Sequence, residues 1–352
     1  MTPNVAWLAG LSPWPTDGFG LERMNRLLAL LGNPQRAYPA IHVVGTNGKT
    51  SATRTIEQAL LREGLSVGAT VSPHVSGWSE RITVDGADAD IERALGRVRA
   101  AAEAVAATQF ETITAAALAE LAAAGVDVAV VEAGLGGRYD ATNVLETKVV
   151  LLTNVSLEHT AVLGNTIEAI AAEKLAVAHP GALALLPDEK LAAQLPPGVE
   201  WRLGGAQEAV EAFLGHPVAP VARASVPGRL ERRVNEIRDG AHTPDGVRWL
   251  AGELRGERFG SLCVSIVSGK DVGEMLDLLR PFADTIVTTT SSSERAVPAA
   301  KLAEHAAGRF PWVEAVADPV AALARAHALG EPVLVTGSLY HLADLAAAEA
   351  GR

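Results

Sequence analysis

Apolar positions along this chain follow two patterns: short unbroken runs of valine, isoleucine, leucine and alanine, and longer stretches where apolar residues recur every three or four positions. The unbroken runs predict strands buried on both faces of a parallel sheet, and the wider spacing predicts amphipathic helices packed on it. Leu21, Met24, Leu27, Leu28 and Leu31 mark a first helix ending at Gly32, and a strand begins at Ile41. Ala52, Ile56, Ala59 and Leu60 mark the next helix, and residues 66–71 a short strand. Ile91, Leu95, Val98, Ala102 and Val105 give a long helix and residues 110–124 another. Residues 126–131 are an almost wholly apolar strand that ends on Glu132. Residues 149–155 repeat the strand pattern, and Ile167, Ile170, Ala171, Leu175 and Ala178 define a helix whose apolar face also carries Lys174.

The pattern weakens over 181–222, with strands expected at 182–186 and 201–203 and a helix at 206–214. Pro217 and Pro220 then punctuate the chain, which places a domain boundary there and divides it into 1–222 and 223–352. Strands at 234–238, 262–267, 285–289 and 333–336 follow, interleaved with helices near 244–254, 271–280, 298–308, 318–328 and 339–349. That alternation predicts a second doubly wound α/β domain. A length of 352 residues suits two cores rather than one. There is no fixed-period repeat.

The most informative stretch is IHVVGTNGKTS at 41–51, a strand, a glycine loop with Lys49, and hydroxyls opening a helix. Backbone N–H groups, a lysine and the positive end of a helix together suit the phosphates of a nucleotide. As a Walker A element it is imperfect, since the pattern requires glycine where Val43 stands, and a plain strand-to-helix bend would also use the glycines. Glu132, at the carboxyl end of a central strand, lies where open α/β sheets hold ligands and is a candidate magnesium ligand. Ser72-Pro73-His74 beyond a strand end offers either a metal or substrate contact or a proline turn with a solvent-facing histidine, the latter favoured on the residues alone. Lys174 on an apolar face has to snorkel out, pair with an acid or do chemistry, and structural pairing is favoured.

Composition narrows this picture. A formal charge of −11 repels nucleic acid and anionic lipid in bulk, so any phosphate must be held locally. The single cysteine, Cys263, reads as a buried strand residue and suits a reducing cytoplasm. The first residues carry no basic run ahead of an apolar one, and no apolar run reaches the roughly 18 residues of a bilayer span. A cytoplasmic protein is expected.

Taken in order, GTNGKTS, SPH with SERITVDG, QFETITAAALAEL, VVEAGLGGRYDATN, EHTAVLGNTIEAIAAEKLAVAHPG, VPGRLE, DGAHTPDG, SGKD and LVTGSLY resemble one family. It is the folylpolyglutamate synthase and dihydrofolate synthase family, within the ATP-dependent murein-type ligases. The resemblance implies an N-terminal P-loop ATPase-like parallel-sheet domain and a smaller C-terminal Rossmann-like α/β domain. It also implies that Gly45, Thr46, Asn47, Gly48, Lys49, Thr50 and Ser51 hold ATP, with Lys49 on the β- and γ-phosphates and Thr50 or Ser51 on magnesium. Ser72, Glu132 and His159 match the magnesium positions. Lys174 matches a lysine that the family carbamylates to hold a second metal and the acyl phosphate, which makes Lys49, Lys174 and His159 the implied catalytic residues. Arg229, Asp239 and His242 resemble nucleotide contacts of the second domain, Lys270 and Asp271 its lysine-aspartate pair, and Gly337 and Ser338 its final strand end.

Implied cofactors are ATP and Mg2+ at two sites, with a monovalent cation as a further occupant and a carbamylated Lys174. Implied partners are a folate-type or other carboxylate and L-glutamate, with no nucleic acid and no membrane, and the chain itself is expected to be a monomer. The chain departs from the family pattern in places. Thr50 replaces a glycine of the loop, Glu158-His159-Thr160 replaces an aspartate-histidine-threonine, and Thr243 stands in the second-domain histidine motif where the family has asparagine. Val210 occupies the position of an adenine-contacting asparagine, in a region shortened between about 181 and 226. The rival expectations are a murein-type ligase joining another carboxylate and amino acid, and a nucleotide-binding protein without ligase activity.

Overall fold

The computed structural model describes residues 2–15 and 18–351, so Met1, Thr16 and Asp17 of the proline- and tryptophan-rich N-terminal stretch lie outside the described residues. The chain forms two compact units. The first contains the residues up to His74 together with Trp78–Ala224, and the second contains Val75–Gly77 and the chain from Ser225 onward.

The strands of the first unit are β1 (Ala40–Val44), β2 (Val67–Thr70), β3 (Ile82–Val84), β4 (Ala87–Asp88), β5 (Val128–Glu132), β6 (Thr147–Leu152), β7 (Leu183–Leu186) and β8 (Glu200–Leu203). They form one sheet in the order β4-β3-β2-β5-β1-β6-β7-β8, antiparallel at β2/β3/β4 and parallel elsewhere. All five residues of both β1 and β5 are buried, as expected for central strands covered on two faces. Pleating sends Ile41 and Val43 into a core with Ile56, Leu60, Val130 and Leu151. The opposite face packs Ala129 and Val131 against Leu95, Val98, Leu118 and Leu121 of the helices Ile91–Val105 and Gln109–Ala124. The second of those helices starts at a capping box, in which the Thr108 hydroxyl accepts from Glu111 N–H and the Glu111 carboxylate accepts from Thr108 N–H.

The second unit contains β9 (Glu231–Arg232), β10 (Glu236–Arg238), β11 (Ser261–Val264), β12 (Thr285–Thr288), β13 (Trp312–Ala315) and β14 (Val333–Thr336). Their order is β13-β12-β11-β14-β10-β9, parallel except for the short β9/β10 hairpin. Cys263 is fully buried in β11, as its place in an apolar run implied, and burial raises its thiol pKa. The α/β class expected for both halves is the class found.

Four strands carry too weak a pattern to be read ahead: β3 and β4 inside SERITVDGAD, β9, and the edge strand β13, whose residues are half-buried or exposed. β4, β9 and β13 lie at sheet edges and β3 is only three residues long, so the apolar run that betrays a central strand is missing. His74 overturns one expectation. Its ring is half-buried and packs at a tilt of 56° on Trp78, with centroids 4.6 Å apart, in place of the expected solvent-facing turn.

Candidate active site

The phosphate loop is held by the strand end beside it. Thr46 N–H donates to the Asn154 carbonyl at 3.0 Å, and Asn47 N–H to Asn154 Oδ1 at 2.8 Å. The Thr153 hydroxyl donates to the Asn47 carbonyl at 2.7 Å. Gly45 is required there, because a Cβ would stand 1.9 Å from Thr153 Oγ1 and the backbone has φ +148°. Gly48, left-handed at φ 82°, turns the chain into the helix Lys49–Arg62.

The loop, strand ends and one distant helix bring several of the expected residues together. Lys49 Nζ folds back over the loop and donates to the carbonyls of Gly45 at 3.1 Å and Thr46 at 3.2 Å. Lys174 Nζ, buried in the helix Ile167–Leu175, donates to the same Gly45 carbonyl at 2.8 Å. Two lysine nitrogens therefore share one oxygen. Burial first, and then the charge of Lys49, bring the pKa of Lys174 down to about 7. Its neighbour Glu173 pairs elsewhere, with Arg138 at 3.0 Å.

Glu132 ends β5 with its carboxylate buried. Thr50 Oγ1 lies 3.0 Å from each of its oxygens, and Ser72 N–H donates to Oε2 at 3.0 Å. Of the two candidate hydroxyls it is Thr50 that meets Glu132, while Ser51 is buried in the same helical turn. Ser72 reaches Glu132 through its backbone. His159 is built differently: it has φ 50°, half its side chain is exposed, and its Nε2 is 3.6 Å from Glu158 Oε1. Among the described residues no three His, Cys, Asp or Glu side chains gather as a metal site. A carboxylate and a hydroxyl converging on one corner nevertheless suit magnesium, which takes hard oxygen ligands, commonly one or two carboxylates, and completes its shell with substrate phosphates and water.

Two further features of the first unit carried little sequence signal. Asp140, fully buried, accepts from Leu135 N–H at 2.7 Å, Thr142 N–H at 3.0 Å and the Thr142 hydroxyl at 2.5 Å, and burial raises its pKa. Thr142 in turn lies 2.8 Å from Nε2 of His42, whose pKa burial brings down to about 3. The clue was one histidine inside the apolar run of β1. The same loop passes close to Lys174, where a Cβ on Gly137 would stand 2.4 Å from the Lys174 carbonyl.

In the second unit Asp239, buried at the end of β10, accepts from Leu230 N–H at 2.7 Å and Ala241 N–H at 2.8 Å. Arg229 Nη1 donates to the Gly228 carbonyl at 3.2 Å. His242 Nδ1 lies 2.8 Å from the Gly240 carbonyl, so Nδ1 carries the hydrogen. Asp271 caps the helix Val272–Leu279, and Ser338, following Gly337, caps the helix Leu339–Ala350. Lys270 and Asp271 line an open cleft of about 500 Å³ with Arg295, Lys301 and His305.

Residues 43–182 match the Mur ligase middle domain, and residues 228–339 match the Mur ligase glutamate ligase domain. The chain is 32% identical to the dihydrofolate synthase/folylpolyglutamate synthase of Mycobacterium tuberculosis, over 84% of this chain and 80% of that protein. It belongs to the folylpolyglutamate synthase and dihydrofolate synthase family. Solved structures of the family superpose on nearly its whole length. Escherichia coli FolC in complex with DHPP and ADP aligns with TM-score 0.85 and 25% identity over 100% of this chain and 98% of its own. A bifunctional folylpolyglutamate synthase/dihydrofolate synthase with Mn, AMPPNP and L-glutamate bound aligns with TM-score 0.85 and 26% identity over 99% and 98%.

Proposed function

We propose that this member of the family joins L-glutamate to the carboxylate of a folate or dihydropteroate through an acyl phosphate, releasing ADP and phosphate. The chain is an ATP-dependent acid–amino-acid ligase, as its relatives are, and uses a divalent metal. The observation that carries the reading is the convergence of Lys49, Lys174 and the Thr50–Glu132 pair around one glycine loop. A protein that only bound nucleotide would have no use for a buried second lysine there.

A carboxylate is a poor electrophile, and its attack on the γ-phosphate brings two anions together, so the site must neutralise charge locally. Lys49 lies over the loop, positioned to meet the β- and γ-phosphates. Thr50 and Glu132, with Ser72 orienting the carboxylate, would hold magnesium. Magnesium bound there supplies further charge neutralisation to the phosphates. Lys174, with its pKa near 7, is substantially neutral at physiological pH. Its nitrogen can bond to the carbon of carbon dioxide and lose a proton, giving a carbamate anion. That anion relieves the repulsion from Lys49 and, with His159, would serve a second metal, with a monovalent cation nearby.

We assign nucleotide binding to residues 1–222 and the ligase domain to 223–352, with Arg229, Asp239 and His242 as nucleotide contacts. We further place the enzyme in the cytoplasm as a monomer. No helix among the described residues is long and apolar enough to cross a membrane. The decisive experiment uses acid substrate with heavy oxygen in its carboxylate. One labelled atom should appear in the released phosphate, and unlabelled phosphate, or AMP with pyrophosphate, overturns the acyl-phosphate route.

A further inference from the structure

The motif Ser72-Pro73-His74 contributes more than a backbone N–H to Glu132. Arg81 ends the short 3-10 helix Trp78–Arg81 that leads into β3, and its carbonyl accepts from Val71 N–H at 3.1 Å, which fixes its backbone beside Ser72. Its side chain is clamped from two sides. Arg81 Cζ lies 4.6 Å from the centroid of the Trp78 ring, and Arg81 Nε donates to His74 Nδ1 at 2.9 Å. His74 itself packs at a tilt on Trp78, with ring centroids 4.6 Å apart. An arginine Nε–H can only donate, so His74 Nδ1 must be an acceptor and the neutral ring carries its hydrogen on Nε2.

Arg81 thus stands at the wall of a small hollow that it lines with Ser72, Phe110, Thr142 and Glu132. Arg81, the Glu132 carboxylate and Phe110 all border this hollow. A free arginine samples many rotamers, and ordering it on substrate binding costs affinity that a preset side chain keeps.

We propose that His74 is a positioning residue, which by accepting from Arg81 Nε fixes that guanidinium across Trp78 at the wall of the Glu132 hollow, ready for an anionic carboxylate of the acid substrate. This rests on the ligase reading above. Trp78 provides the platform, His74 the direction and Arg81 the charge. The arrangement governs affinity for the acid and leaves ATP binding and phosphoryl transfer to the loop and to Glu132.

Two substitutions separate the ring from its acceptor. His74→Phe keeps a ring on Trp78 and removes the acceptor, whereas His74→Asn keeps an acceptor near the position of Nδ1 and removes the ring. The phenylalanine variant should raise the KM for the acid by about tenfold, the effect of one lost hydrogen bond to a charged group. Its kcat and its KM for ATP should stay within about twofold of wild type. The asparagine variant should recover most of the lost acid affinity.

An unchanged acid KM in His74→Phe overturns the proposal, and so does an asparagine variant no better than the phenylalanine one. Equal losses in kcat and in ATP affinity also overturn it, because they would place His74 in support of the metal corner. Nitrogen NMR of the wild-type chain gives a readout independent of turnover: His74 should show a bare Nδ1 and a protonated Nε2, and the Arg81 Nε–H should exchange slowly. The reverse tautomer overturns the proposal. Absence of turnover by the wild-type enzyme with any pterin acid strikes the ligase reading, whereas turnover combined with an indifferent His74→Phe strikes this proposal alone.

Discussion

Around Lys49 the polar groups face one another across a small space, whereas around Asp239 they hold the backbone. In the first unit Thr50 meets Glu132, and Lys49 and Lys174 meet on one carbonyl, so charges and hydroxyls of three distant stretches of chain are concentrated in one place. In the second unit Asp239 spends both oxygens on the N–H groups of Leu230 and Ala241, and Arg229 and His242 lean on the carbonyls of Gly228 and Gly240. The difference separates two kinds of site residue. The first kind stores electrostatic potential for chemistry at some cost to stability, and the second keeps a loop in shape and contributes to stability directly.

The largest effect should come from Lys49→Ala. Losing its charge should lower turnover by about a hundredfold to a thousandfold while the melting temperature stays near wild type. Near-normal turnover would break the contrast at its first term. Lys174→Ala should follow, nearly inactive by about a hundredfold, with part of the rate returned by a small carboxylic acid that fills the gap and replaces the anion. A loss that no added acid repairs would make Lys174 a packing residue.

Asp239→Ala tests the other side. Orphaning two buried N–H groups should cost about 2 to 4 kcal/mol, visible as a lower midpoint in denaturant unfolding. Full stability with abolished nucleotide binding would move Asp239 to the first kind.

The smallest effect is a pH slope. Lys174 has a folded pKa near 7, below the usual lysine value, so the unfolded chain binds its proton more readily. Stability should therefore rise with pH from about 7 toward 10, and be lost as pH falls through that window. In buffer free of carbon dioxide, Lys174→Met should remove a slope of about 1 kcal/mol per pH unit from this rise. A slope unchanged by the substitution would show that Lys174 is not the group responsible.

Much of this was legible in the residues, for reasons that differ from element to element. β1 and β5 could be read because a strand buried on both faces cannot carry polar residues freely, and Glu132 stood out because it ends such a run. Lys174 stood out because a lysine on an apolar face needs a reason. The partners of these residues were less visible. That Thr50 and not Ser51 meets Glu132 depends on the angle at which the helix leaves Gly48, and the Asp140–Thr142–His42 chain depends on a loop folding back 100 residues along the sequence from His42 to Thr142. The burial of His74 leaves no such mark, because Trp78, the ring it packs against, lies beyond a glycine in a stretch with no periodicity.

Cys263 has a practical consequence. The chain has a single thiol, and it sits fully buried in β11, a central strand of the second sheet. A thiol reagent can reach it only when that sheet opens, so the rate of labelling is an internal clock for unfolding of the second unit. Because the first unit has no cysteine, the clock ignores events there. Protein labelled in the presence and absence of nucleotide would therefore report how far ligand binding slows the opening of one half of the molecule, with no probe having to be introduced.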